Sequence, residues 1–221
     1  MTKKIGCALG VGALIVALLL ASLLSPRVEF MVGGALVNLG YRLQDQLIRF
    51  DFEHDETITP EQIWTELERH NELAAGVRGL FPRTTRHPVA AILACMDARI
   101  DTSELMGDTR RYYYVVRTAG SVLSPAEQEM LELAVLNGVK IILLTTHTDC
   151  AAEAAAADPE MREKFPALIA LMDERERRVE EFMARPTIRD AIAAGKLQVK
   201  HARIDTRTDR LVVEPAHEDA H

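Results

Sequence analysis

Hydrophobic side chains run without an intervening charge from residue 5 to residue 24. Twenty helical residues at about 1.5 Å rise reach roughly 30 Å, the thickness of a bilayer's hydrocarbon core, so the pattern predicts a membrane-spanning helix. Residues 28–58 follow as an amphipathic arm in which Leu43, Leu47 and Phe50 recur at helical spacing between Arg42, Asp45 and Arg49. That arm is too polar to span and is expected at a membrane surface, on a second subunit or over the core. From residue 59 the pattern is that of a folded domain. Thr59-Pro60-Glu61-Gln62 opens a helix with a capping box, carrying Ile63, Trp64, Leu67 and Leu73 toward a core.

Four short runs rich in β-branched or aromatic residues, at 89–94, 112–116, 140–146 and 198–204, read as strands separated by helical patterns. Ser124-Pro125-Ala126-Glu127 caps a helix with Met130, Leu131, Leu133, Ala134 and Leu136. The alanine-rich stretch 151–157 is helical by composition, and Asp158-Pro159-Glu160 starts one long charged helix reaching Phe182. Strands alternating with helices predict an α/β fold, a central and mostly parallel sheet flanked by helices on both faces. A turn over 205–209 adds a closing hairpin strand at 211–214. Three regions follow: a membrane anchor or signal segment at 1–27, the connecting or dimerisation arm at 28–58, and the sheet domain at 59–221.

Composition refines this picture. The chain has 26 basic and 33 acidic residues, a formal charge of −7, and its only charges before Val28 are Lys3, Lys4 and Arg27. No basic stripe is available for nucleic acid, which is excluded as a partner. Two lysines ahead of the apolar run set its N-terminus in the cytoplasm, so the domain is expected to be membrane-anchored and to face the periplasm or exterior. Secretion after signal cleavage is the alternative, although no A-x-A site is evident. Three cysteines are too few for a disulfide scaffold. Cys7 reads as a small apolar residue of the span.

The other two cysteines fall where chemistry is expected. Cys95 ends the first predicted strand in Cys95-Met96-Asp97-Ala98-Arg99, and Cys150 follows the third in His147-Thr148-Asp149-Cys150. Ligands of open parallel sheets gather at the carboxyl ends of strands. Two thiolates and one imidazole suit tetrahedral zinc and leave a fourth position for water or a carboxylate. Asp97 is placed to take that position or to accept a hydrogen bond from a zinc-bound hydroxide. Arg99 is placed to hold it off the metal by a bidentate pair. A buried thiol pair, a disulfide or a plain ion pair would leave the joint spacing of His147, Asp97 and Arg99 unexplained.

In these motifs, C-x-D-x-R at Cys95, Asp97 and Arg99 and H-x-x-C at His147 and Cys150, the sequence resembles the β-class carbonic anhydrases. The loop Arg117-Thr118-Ala119-Gly120 and the closing hairpin extend the resemblance over about residues 88–214. It implies zinc held by Cys95, His147 and Cys150, with Asp97 and Arg99 as a gating dyad and Asp97 a possible fourth ligand at rest. It also implies reversible hydration of carbon dioxide to bicarbonate and a proton by metal-hydroxide attack. A homodimer or higher homo-oligomer is implied, with Thr118, Ala119, Gly120 and Ser121 along the substrate pocket. The chain departs from the family pattern at Thr118, where many relatives have Asn, and at Ser121 and Ala151, where Gly is usual. Two further readings therefore stand beside the first: a carbonyl sulfide or carbon disulfide hydrolase, and a non-catalytic anchored zinc protein that senses or scaffolds inorganic carbon.

Overall fold

The structure is a computed structural model and describes residues 25–80, 87–110 and 112–213. The predicted span at 5–24 lies outside the described residues, as does Cys7. Among the described residues no helix is long and apolar enough to cross a membrane. The chain divides into two units, Met1–Arg83 and Thr84–His221.

In the first unit, helix α1 (Pro26–Gln44) begins on a proline with Glu29 in its first turn and ends with Arg42 in its last, charges that complement the helix dipole. A 3₁₀ turn at Leu47–Arg49 leads toward helix α2 (Pro60–Leu80). The capping box is present: the Thr59 amide donates to Gln62 Oε1 at 2.7 Å, and the Gln62 amide donates to Thr59 Oγ1 at 3.3 Å. The expected burial of α2 is not. None of its residues is buried, Trp64 is 55% exposed and Leu73 53%. The helix also groups with the first unit, whereas the pattern assigned it to the sheet domain. Periodicity defines an apolar stripe but cannot name the surface that covers it.

The second unit is built on a five-stranded sheet. Its elements in chain order are β1 (Ala90–Cys95), α3 (Thr102–Met106), β2 (Tyr113–Thr118), a 3₁₀ turn (Ala119–Ser121), α4 (Pro125–Leu136), β3 (Ile141–His147) and α5 (Ala151–Ala157). Then follow α6 (Pro159–Lys164), α7 (Pro166–Asp173), α8 (Arg175–Ala184), α9 (Pro186–Ala193), β4 (Gln198–Asp205) and β5 (Arg210–Val213). Strand order is β2-β1-β3-β4-β5, parallel except for the antiparallel β5. Every strand predicted from the pattern is found, shifted by one or two residues. In β1, residues Ala91 through Cys95 are all buried, as a strand covered on both faces requires.

One helix was expected after Asp158 and three are found. Pro166 has no amide to donate and forces Phe165 out of helical geometry (φ −126°, ψ 57°), which breaks the run between α6 and α7. The far end still reaches its target, with Phe182 fully buried beside Leu93, Leu131, Ile142 and Ile188 in the main core. A second, smaller cluster of Ala94, Cys95, Ile100, Cys150 and Ile204 gathers at the carboxyl ends of β1 and β4 and the start of α5. Both sheet cysteines belong to it.

Candidate metal centre

Cys95 is the last residue of β1, His147 the last of β3, and Cys150 is the N-cap of α5. All three are buried, and one ligand atom from each lies within 4.8 Å of the others. Parallel pairing of β1 with β3 brings the two strand ends together, so residues 52 positions apart converge without a special loop. Neither cysteine is in a disulfide.

The histidine is oriented for ligation. Its Nδ1 lies 2.8 Å from the Thr148 carbonyl oxygen, an acceptor, so Nδ1 carries the proton and Nε2 presents a lone pair. That Nε2 is buried and has no partner among the described residues. A buried acceptor left in this way is destabilising unless a ligand completes it. Burial pushes the Cys150 thiol up, and the amides of Glu153 and Ala152 at the start of α5 pull against that, while neighbouring Cys95 adds to the rise. Two adjacent buried thiols become thiolates together only with a cation between them. The donor set therefore fits zinc, and a zinc ion is the cofactor this site takes.

The ligand loops are tied down by arginines. Arg99 grips both oxygens of Asp97, Nε to Oδ1 at 3.0 Å and Nη2 to Oδ2 at 2.8 Å, while its amide also donates to Oδ1 at 2.9 Å. This pair, aided by the backbone bond, holds the Asp97 carboxyl well below the usual carboxylate range against a small opposing effect of burial. Asp97 is thus an ionised acceptor beside the three ligands and is not one of that cluster. Arg99 Nη2 also donates to the Asp149 carbonyl at 2.9 Å, linking the C-x-D-x-R turn to the H-x-x-C turn. Asp149 holds a left-handed conformation (φ 55°), which directs that carbonyl. Thr148 closes the other side: its amide donates to the Ile204 carbonyl at 3.0 Å, and its Oγ1 accepts from the Thr206 amide at 3.1 Å.

Arg117 has a part that sequence reasoning missed. It is the penultimate residue of β2, in register with Ala94, and donates from Nε to the Cys95 carbonyl at 3.2 Å and from Nη2 to the Asp97 carbonyl at 2.6 Å. An arginine near the carboxyl end of a strand expected beside β1 was the available signal. The pocket loop Thr118, Ala119, Gly120 and Ser121 starts at the register partner of Cys95 and turns through two left-handed residues, Gly120 (φ 58°) and Ser121 (φ 55°). Asp101 caps α3, its carboxylate accepting from the Ser103 amide at 2.6 Å. His54 and His70 lie in the first unit and His201 on β4, while His217 and His221 lie outside the described residues.

A dithiolate and imidazole pocket at the carboxyl ends of a parallel sheet defines a zinc-centre protein of the α/β class. Residues 90–185 match the family model described as carbonic anhydrase. Beta-carbonic anhydrase 1 of Mycobacterium tuberculosis and of Mycobacterium bovis is 34% identical over 85 residues, which is 38% of this chain and 52% of each relative. The chain thus spans about half the length of the curated relatives it matches. Among solved structures, the fold is similar to the beta-carbonic anhydrase CcaA at a TM-score of 0.58 and 16% identity, covering 70% of this chain and 94% of that one. It is also similar to CafA of Aspergillus fumigatus (TM-score 0.53, 21% identity, 71% and 92% covered). A tetrameric beta-carbonic anhydrase of Sordaria macrospora gives a TM-score of 0.51 at 23% identity, with 69% and 96% covered. Residues 90–185 are thus similar to the carbonic anhydrases in sequence, and the fold is similar to that of the β-class structures.

Proposed function

We propose that the protein is a zinc-dependent carbonic anhydrase, catalysing reversible hydration of carbon dioxide to bicarbonate and a proton. The observation that carries this reading is the convergence of Cys95, His147 and Cys150 within 4.8 Å beside an Asp97 whose two oxygens are engaged by Arg99. When bound, zinc supplies a Lewis acid that makes water a nucleophile near neutral pH. The protein's own groups do the rest. Asp97, kept ionised by Arg99, accepts a hydrogen bond from the attacking water and so aims its lone pair. Arg99 and Arg117 hold the two ligand turns in register, so the acceptor stays beside the metal ligands. Opening of the Arg99 pair would free the Asp97 carboxylate to turn toward the metal ligands, and in that sense the dyad would be a gate.

The match to the carbonic anhydrase model supports carbon dioxide as substrate. We place the domain on the periplasmic or extracellular side, tethered by residues 5–24; the apolar run and Lys3 and Lys4 support this. A homodimer or higher homo-oligomer is in keeping with the tetrameric relative. Stopped-flow hydration by the zinc-loaded full chain in detergent, between about pH 6.5 and 9, tests the activity. Turnover that rises with pH and disappears in Cys150→Ser is expected. Full zinc occupancy without carbon dioxide turnover overturns the assignment, and hydrolysis of carbonyl sulfide in its place selects the related hydrolase.

A further inference from the structure

Three buried side-chain polar atoms lack a partner among the described residues: His147 Nε2, Thr118 Oγ1 and Ser121 Oγ. The first is accounted for by the metal. The other two lie in the same neighbourhood. Thr118 is the register partner of Cys95 at the end of β2, and its carbonyl accepts from the Met96 amide at 3.0 Å. Paired residues of a sheet send their side chains to the same face, so the Thr118 hydroxyl leaves the sheet alongside the Cys95 thiol. Ser121 ends the turn that follows, and that turn packs on α5 through Gly120. A Cβ built on Gly120 would stand 3.4 Å from the Ala152 methyl, two residues after Cys150, and 2.2 Å from Met172 Sδ on α7. The turn therefore packs against the helix that starts on Cys150 and against α7.

Ser121 is the more telling of the two. It is 4% exposed and left-handed (φ 55°), a conformation in which glycine would be unstrained. A serine there combines backbone strain with a buried, unbonded hydroxyl, and both effects oppose folding. No hydrogen bond among the described residues compensates. A hydrogen-bonding ligand at the metal face would.

We infer that Thr118 Oγ1 and Ser121 Oγ form a hydroxyl pair that binds a small oxyanion, bicarbonate, beside the metal ligands, and so set specificity on the product side of the reaction. This rests on the metal-centre reading above. Both hydroxyls are neutral donors, so they select an oxygen-bearing ligand by geometry and add no charge to a site that already has a cation. Arg117 and Arg99 each direct Nε and Nη2 at backbone carbonyls or at Asp97, whereas the two hydroxyls have no partner among the described residues.

The test uses the full chain loaded with cobalt(II), whose visible absorption in a thiolate site reports ligand binding without turnover. Bicarbonate titration should saturate in the parent. Thr118→Val and Ser121→Gly should each raise the bicarbonate dissociation constant about tenfold, in proportion to one hydrogen bond to a charged group, and Thr118→Ser should restore it. Ser121→Gly should at the same time raise the melting temperature of the unliganded protein, because strain is relieved. Gain of stability with loss of anion affinity is not what a structural hydroxyl gives. Unchanged affinity in both variants, or a Ser121→Gly protein that melts earlier, overturns the pair. Full cobalt uptake with no bicarbonate response in the parent overturns the pair and leaves the metal centre standing, whereas failure to bind cobalt overturns both.

Discussion

Replacement of Arg117 by methionine isolates the contribution of one side chain to the order of the metal site. Methionine keeps much of the aliphatic stem and removes the two hydrogen bonds to the Cys95 and Asp97 carbonyls. Bonds from a charged donor contribute about 1.5–3 kcal/mol each when buried. The Asp97 carbonyl contact is exposed and the Cys95 contact only partly buried, so water replaces much of each. A loss of about 2 kcal/mol for the pair is the reasoned value. At about 2–4 °C per kcal/mol for a chain of this size, the melting temperature should fall by roughly 4–8 °C. Zinc affinity should fall as well, by about tenfold, because Cys95 is no longer held at the end of β1 and the orientation of a ligand is part of the binding free energy. Differential scanning calorimetry with and without zinc, and competition against a chromophoric chelator, measure the two effects. Arg117→Lys separates charge from geometry: an ammonium keeps the field but lacks the planar fork that reaches both carbonyls, so it should recover less than half of either loss. A methionine variant with unchanged zinc affinity and a melting temperature within about 1 °C of the parent would refute the reasoning.

Two further predictions concern the same corner of the fold. The Asp97 carboxyl is held below its ordinary value of 3.8, so the ionised form adds stability above about pH 4 and that stability is lost as pH falls through the lower, folded value. Asp97→Asn should therefore be destabilised against the parent at pH 7, and the gap in urea midpoints should close toward pH 2; a gap independent of pH would remove the ion pair from the explanation. At Gly120, alanine meets both a left-handed φ of 58° and a Met172 sulfur 2.2 Å from the new Cβ. Gly120→Ala should lower stability by about 2–3 kcal/mol, whereas the double variant with Met172→Ala should recover the steric part and retain the conformational part. Equal losses in single and double variants would show that Met172 does not pin the turn.

Much of the site was legible in the chain itself, for a physical reason. Strands buried on both faces are continuous apolar runs, and the ends of such runs mark the carboxyl edge of a parallel sheet, so Cys95 and His147 could be set at one edge before any coordinates. Capping at Thr59 and Ser124 was equally local: in both, the N3 side chain accepts from the amide of the cap residue. Where a property depends on a single residue's backbone chemistry, sequence reading still failed if the apolar pattern outweighed it. Pro166 was in plain view, yet the hydrophobic period across it suggested one helix where three exist.

Local pattern and residue chemistry determined the α/β class, the strand positions, the zinc donor set and the Asp97–Arg99 dyad. All of these follow from spacing within one element or from what thiolate, imidazole and carboxylate groups can bind. The tertiary structure alone decided which unit takes the helix Pro60–Leu80, that Arg117 reaches across from β2 to brace the ligand turn, and that Thr118 and Ser121 carry buried hydroxyls without a partner among the described residues. Those features arise from strand order and from helices packed against a turn. They join residues far apart in sequence, and no periodicity records which surfaces meet.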